Sequence, residues 1–182
     1  MELLDAIKGR RSIRSFKGDP VPRDLINEVL EAGTWAPSAK NGQQWRFTVL
    51  TGEAKKSLTD LFRREIQIFV ARFGKEESGS SLNTCDIMEE APVLIMVWNS
   101  GEKEWETEVH GVAAAIQNML LRAHDLGLGS LWIGDIYYAI DTLREYLGKP
   151  WKLMAAVSLG YATNEGRIPP KISVDEVSEF LI

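Results

Sequence analysis

Apolar positions recur along this chain with two periods, and each period marks its own elements. Leu3, Leu4 and Ile7 share one side of a short helix over residues 2–9, with Gly9 as its stop. Pro22 suits the first turn of a second helix, because its missing N–H has no partner to lose there. Leu25, Ile26, Val29 and Leu30 give that helix its apolar stripe, and Gly33 ends it. Residues 34–44 read as a loop, and Arg46–Thr51 as a strand. Residues 53–73 form a long helix with Leu58, Leu61, Phe62, Ile66 and Phe69 inward. Residues 74–81, charged and then rich in Gly and Ser, are expected to be mobile. Val93–Trp98 is uninterrupted apolar sequence, the mark of a strand covered on both faces.

The strongest helix covers residues 105–126. Trp105, Val109, Val112, Ile116, Met119, Ala123 and Leu126 recur in steps of four and three, and Gly127 ends it. Gly111, Ala113, Ala114 and Ala115 make its other faces thin and apolar too. A helix that is apolar nearly all round is buried, and a second subunit is a natural way to bury it in a short chain. Leu131–Gly134 is a short strand, Ala139–Leu147 a helix, Leu153–Gly160 a strand, and Gly166–Pro170 a loop. Val174–Ile182 is a terminal helix or arm. Helices and strands mix without a steady βαβ rhythm, so the expected class is α+β, one sheet with helices packed around it. With 182 residues and no internal repeat, a single domain over 1–182 is expected.

Composition narrows the function. Apolar residues make up 45% and charged residues 26%, as in soluble globular proteins. Cys85 is the only cysteine, which excludes an internal disulfide and a multi-cysteine metal site and suits a reducing cytoplasm. The apolar run Val93–Trp98 falls far short of the roughly 20 residues that span a bilayer, and the acidic N-terminus has no secretory pattern. The net charge of −5 argues against nucleic acid as a partner. Yet residues 8–17 hold Lys8, Arg10, Arg11, Arg14 and Lys17 and no acid; without those five, 16 bases face 26 acids. One basic spot on an acidic chain suits a small anion, or else a solvated helix end.

Two segments carry candidate chemistry. Gly9-Arg10-Arg11-Ser12-Ile13-Arg14-Ser15-Phe16 sets three guanidinium forks and a hydroxyl just past a helix, a donor set that matches phosphate oxygens. Ala36-Pro37-Ser38-Ala39-Lys40-Asn41-Gly42-Gln43-Gln44-Trp45 offers neutral donors and acceptors of the kind that read a uracil-like ring edge; by itself it also reads as a capped turn entering a strand. Other constellations are structural. His110 and His124 stand four turns apart on one helix, too far for one metal. Ser38 has no Gly-x-Ser-x-Gly elbow, so no hydrolase follows from it. Asp86, Glu89 and Glu90 read as a solvated face. No Gly-x-Gly-x-x-Gly fingerprint marks a resident nicotinamide site.

Taken in order, Arg-Arg-Ser-x-Arg, a Pro-Val and helix, and Ala-Pro-Ser-x-x-Asn-x-Gln-x-Trp-x-Phe closely resemble the nitroreductase family. His110–Met119 resembles that family's central helix, Leu126–Gly134 its flavin-contacting strand and turn, and Gly160-Tyr161 with Arg167-Ile168-Pro169 its C-terminal segment. The resemblance implies a mostly antiparallel sheet in a dimeric flavoprotein with FMN at the subunit interface. Arg10, Arg11 and Ser12 would hold the FMN phosphate, with Arg167 and Lys171 as further phosphate candidates. Arg14 would lie toward N1 and O2, where a cation stabilises the charge of the reduced ring. Pro37, Ser38, Asn41 and Gln43 would come from the other subunit, and Trp132-Ile133-Gly134 would run along the inner face of the ring, a backbone N–H near N5. The implied reaction is a ping-pong transfer from NADH or NADPH, through flavin N5, to flat electron-poor acceptors such as nitroaromatics and quinones. It needs no catalytic side chain and no metal. A flavin carrier or sensor without turnover and a reductive dehalogenase are the alternatives on the same fold. The chain departs from the family in having Gln43-Gln44-Trp45 where Gln-Pro-Trp is common, and in lacking a terminal run of Lys, Arg and Pro. It is also short, which leaves residues 63–85 as the candidate cover of the substrate pocket.

Overall fold

A computed structural model describes residues 1–103 and 105–181. Four strands form one sheet in the order β1-β2-β4-β3, where β1 is Trp45–Thr51, β2 Val93–Asn99, β3 Gly129–Ile133 and β4 Lys152–Gly160. Every neighbouring pair is antiparallel. The continuous apolar run of β2 lies in the middle and is buried along its whole length. Its alternate residues feed two cores, as a two-residue period requires. Leu94, Met96 and Trp98 pack with Leu58, Phe62 and Ile66 of helix α3 (Gly52–Phe73) and with Met88. Val93, Ile95 and Val97 pack on the opposite face with Val29 of α2 (Arg23–Thr34) and with Val112, Ile116 and Met119 of α5 (Glu106–Asp125). The fold is therefore α+β, a sheet between two helical layers.

Helices α2 and α5 approach closely because Gly33 has no side chain. A Cβ there would stand 2.9 Å from Met119 Cγ and 3.2 Å from Phe47 Cζ. The inner face of α5 is buried at Gly111, Val112, Ala115, Ile116, Met119, Leu120 and Ala123, while Ala113 and Ala114 are only half-buried in the single chain. Helix α1 (Leu3–Gly9) is shorter by one residue than expected. Residues 74–81, expected to be mobile, include a helical turn at Glu76–Ser78, and a further helix α4 follows at Ser81–Glu90. The periodicity had not marked α4. The long C-terminal element is a four-residue helix, α7 (Val174–Val177), within an exposed arm, and its expected end at Ile182 falls outside the described residues. The helix expected over residues 139–147 is α6 (Ile140–Tyr146), and a helical turn at Asp135–Ala139 precedes it. Among the described residues no helix is long and apolar enough to cross a membrane.

Candidate active site

The basic segment after α1 is bound to the sheet as a short added strand. Ile13 N–H donates to Ser130 O at 3.0 Å and Lys17 N–H to Tyr161 O at 2.8 Å. Bridges pair Ser12 with Ser130 and Phe16 with Ala162. Two glycines make room for it. A Cβ on Gly129 would lie 3.0 Å from both Cγ atoms of Ile13; one on Gly166, whose φ is +74°, would lie 2.9 Å from Arg11 Cβ. The segment 162–168 therefore folds back over residues 11–13.

This arrangement brings the two ends of the chain to one cavity of about 730 Å³ beside the start of β3. Lys8, Arg10, Arg11, Arg14, Arg167 and Lys171 line it with Ser12, and no acid does among the described residues. Both C-terminal phosphate candidates thus reach the same place. Burial, and then the adjacent Arg11 charge, press the Arg10 guanidinium below its ordinary value. A cation held in that field gains from an anion. Arg14 is exposed and donates to Ser12 O at 3.2 Å. Arg11 is partly engaged elsewhere: its Nη1 donates to Lys8 O at 2.5 Å and Arg10 O at 2.8 Å, carbonyls at the end of α1. Lys8 was legible as part of the basic run but not as a lining residue.

Trp132 and Ile133 lie further along β3, away from the cationic end, and Gly134 directly follows the strand. Trp132 is 40% exposed and Ile133 is buried, so their faces alternate as a strand requires. Gly134 O accepts from Tyr137 N–H at 3.1 Å, which starts the turn after the strand. The ring-edge loop is elsewhere. Pro37, Ser38, Asn41 and Gln43 precede β1, the opposite edge strand, three strand spacings or roughly 14 Å from β3. None of them lines the cationic cavity. Gln43 N–H donates to Ser38 Oγ at 3.0 Å. Lys40, Asn41 and Gln43 all have positive φ, at 53°, 54° and 48°. Three non-glycine residues in that region within four positions store strain, and such strain concentrates at functional loops. One chain therefore gathers the phosphate candidates but not the loop candidates.

Behind Arg10 and Arg11 lies a second cavity of about 670 Å³, into which His124 projects. Burial first, then Arg11 and Arg10, lower the His124 pKa. The two histidines belong to no metal cluster, and no group of three or more potential ligands could hold a metal ion among the described residues.

A sequence model of the Nitroreductase family matches residues 7–161. The chain belongs to the nitroreductase family. A protein of Methanothermobacter thermautotrophicus provisionally named NADH dehydrogenase/NAD(P)H nitroreductase is 32% identical over 173 residues, covering 91% of this chain and 81% of that protein. The nitroreductase of Bacteroides fragilis solved with bound FMN is 32% identical with a TM-score of 0.78, covering 100% of this chain and 99% of the other. A provisionally named nitroreductase of Desulfovibrio desulfuricans, solved in complex with FMN, is 29% identical with a TM-score of 0.82, covering 100% and 98%. These likenesses extend over the sheet, both helical layers and the segments that carry the cavity. The nitroreductase fold is thus what joins residues 8–14 to residues 167–171.

Proposed function

We propose that this nitroreductase-family chain is an FMN-dependent oxidoreductase that uses NADH or NADPH to reduce flat electron-poor acceptors such as nitroaromatics and quinones. The single observation that carries this reading is the cavity beside β3, lined by six cationic side chains and, among the described residues, no acid. Its donor set fits a phosphate monoester: guanidinium forks for the oxygens, the Ser12 hydroxyl as a further donor, and a half-buried Arg10 pressed by the charge of Arg11. FMN carries such a phosphate. The relatives solved with FMN strengthen the assignment.

Arg10, Ser12, Arg167 and Lys171 would hold the phosphate, with Arg11 beside them, and Arg14 would stabilise charge on the pyrimidine side of the ring. Trp132, Ile133 and Gly134 would supply a flat wall and a backbone donor along β3. Pro37, Ser38, Asn41 and Gln43 would close the site from a second copy of the chain, because in one protomer they sit on the far edge of the sheet. The half-buried Ala113 and Ala114 of α5 give such a copy an apolar surface to cover. When bound, FMN supplies two-electron exchange at N5 between nicotinamide and acceptor, the oxidised nicotinamide leaving before the acceptor enters. The residues of the chain bind, orient and exclude water; orientation of reactants is itself a large part of such a rate.

Purified protein should be yellow, bleach on addition of NADH or NADPH without oxygen, and regain colour with a quinone. Colour that persists with both nicotinamides overturns the turnover reading. Composite sites have a further signature. Arg10→Ala/Arg14→Ala chains mixed with Ser38→Ala/Asn41→Ala chains should regain about one FMN per heterodimer, because one of its two sites is then intact. No recovery on mixing refutes the cross-subunit role.

A further inference from the structure

The turn after β3 is fastened to the segment that leads into α4, and one carboxylate makes most of that join. Asp135 directly follows Gly134, the last of the residues assigned above to the flavin wall. Its Oδ2 accepts from Ser80 Oγ at 3.1 Å and from Thr84 Oγ1 at 2.8 Å. Ser80 is the N-cap of α4, yet it makes no capping hydrogen bond to its own helix. A residue type chosen for local capping is turned outward to a tertiary partner, a local preference overridden. Three residues further along the same turn, Tyr138 OH donates to Glu77 O at 2.7 Å, and the Phe69 ring lies 4.6 Å from the Tyr138 ring. The fastened segment is jointed at both ends of residues 74–79. Gly74 and Gly79 have φ of +93° and +53° and open space around them. Between those joints the Glu76–Ser78 turn closes on itself, Ser78 N–H donating to Lys75 O at 3.2 Å and Gly79 N–H to Glu76 O at 3.3 Å, so the turn moves as one piece and its tie to the turn after β3 sets where it sits.

We propose that Asp135 is a positioning residue for the acceptor side of the site: by gripping Ser80 and Thr84 it holds the start of α4 at a set distance from the turn after Gly134. It acts through the two hydroxyls and touches no reacting atom. The proposal rests on the flavin reading above, and the test separates the two.

The FMN-loaded enzyme is assayed with NADH against a quinone and a nitroaromatic. Asp135→Ala is expected to raise the acceptor KM about fivefold or more while kcat changes less than about twofold, because ground-state placement is lost and the chemistry is not. Ser80→Ala/Thr84→Val should do the same. Adding Asp135→Ala to that pair should raise KM no further, since the three groups form one unit. Asp135→Asn keeps a carbonyl acceptor for both hydroxyls and should restore KM to within about twofold of the wild type. Amide hydrogen exchange over residues 77–84 should quicken by about tenfold in Asp135→Ala, with FMN occupancy unchanged by absorbance. An unchanged KM in Ser80→Ala/Thr84→Val, additive effects, or Asp135→Asn as damaging as Asp135→Ala would each overturn the proposal. Should Asp135→Ala fail to fold, the Asn variant and the hydroxyl pair decide it alone. Wild-type protein that takes up no FMN would instead sink the flavin reading and leave the exchange measurement on the latch standing.

Discussion

Removing Arg10 and Arg14 together tests the cationic cavity most directly. The two groups differ in setting. Arg10 is half-buried and pressed by Arg11, so its bond to an anion is made against little competing water. A charge-assisted bond of that kind contributes about 1.5–3 kcal/mol. Arg14 is exposed, and solvent screening reduces its share to at most about 1 kcal/mol. Together they amount to about 3 kcal/mol, a loss of roughly 150-fold in affinity. Binding is weakened and not abolished, because Lys8, Arg11, Arg167 and Lys171 still line the cavity. Quenching of FMN fluorescence on titration into apoprotein reads the Kd, and Arg10→Ala/Arg14→Ala should release its flavin on gel filtration. The contrast with salt sharpens the test: the variant should lose less affinity than the wild type when ionic strength rises, since fewer charges face the phosphate. Arg10→Lys keeps the charge but not the planar fork and should fall between the two. Arg144→Ala, which removes a cation paired with Asp141 on α6, should bind as the wild type does. A double variant whose Kd stays within about threefold of the wild type refutes the assignment, since that is under 1 kcal/mol.

Three further outcomes follow from the packing. A Cβ on the buried Gly160 would stand 2.5 Å from Pro92 Cδ and 3.1 Å from Phe16 Cδ1. The Pro92 ring is stiff, so Gly160→Ala should cost about 2–3 kcal/mol and lower Tm by roughly 5–10 °C in calorimetry; an unchanged Tm would show that β4 shifts freely at its end. Burial pushes the Cys85 thiol up to about 11, from an ordinary value near 9. The unfolded chain therefore releases that proton first, and stability is full below pH 9 and falls as pH rises from 9 to 11, by up to about 1.4 kcal/mol per pH unit. Cys85→Ala should flatten that part of a urea-midpoint profile, and a slope unchanged by the substitution assigns it to another group. Stripping FMN should lower Tm by roughly 5–10 °C relative to protein with flavin at a hundred times its Kd, because that excess stabilises the native state by about 2.7 kcal/mol. Equal melting of the two forms would mean that flavin does not prefer the folded chain.

Periodicity carried much of the architecture. The unbroken apolar run of β2 announced a strand buried on both faces, and the stripes of α2, α3 and α5 announced amphipathic helices, because those patterns are the record of which face leaves water. Helix α4 escaped notice for the same reason. Its inward positions include Ser81, Thr84 and Cys85 beside Ile87 and Met88, so the buried face is partly polar and the apolar repeat is faint. The basic run and the loop motif were likewise legible, and they sufficed to name the family.

What a linear pattern does not contain is which buried face meets which. The order β1-β2-β4-β3 puts the loop before β1 and the turn after β3 on opposite edges, and no local preference encodes that separation. The cationic cavity joins residues 8–14 to residues 167–171 because the added strand at Ser12 and the fold-back at Gly166 bring the chain ends together. The grip of Asp135 on Ser80 and Thr84 spans more than fifty residues and depends on side-chain hydroxyls that carry no periodic signal. Such contacts form only after the chain has paid the entropy of bringing distant segments together, so they belong to the packed molecule and not to any stretch of its sequence.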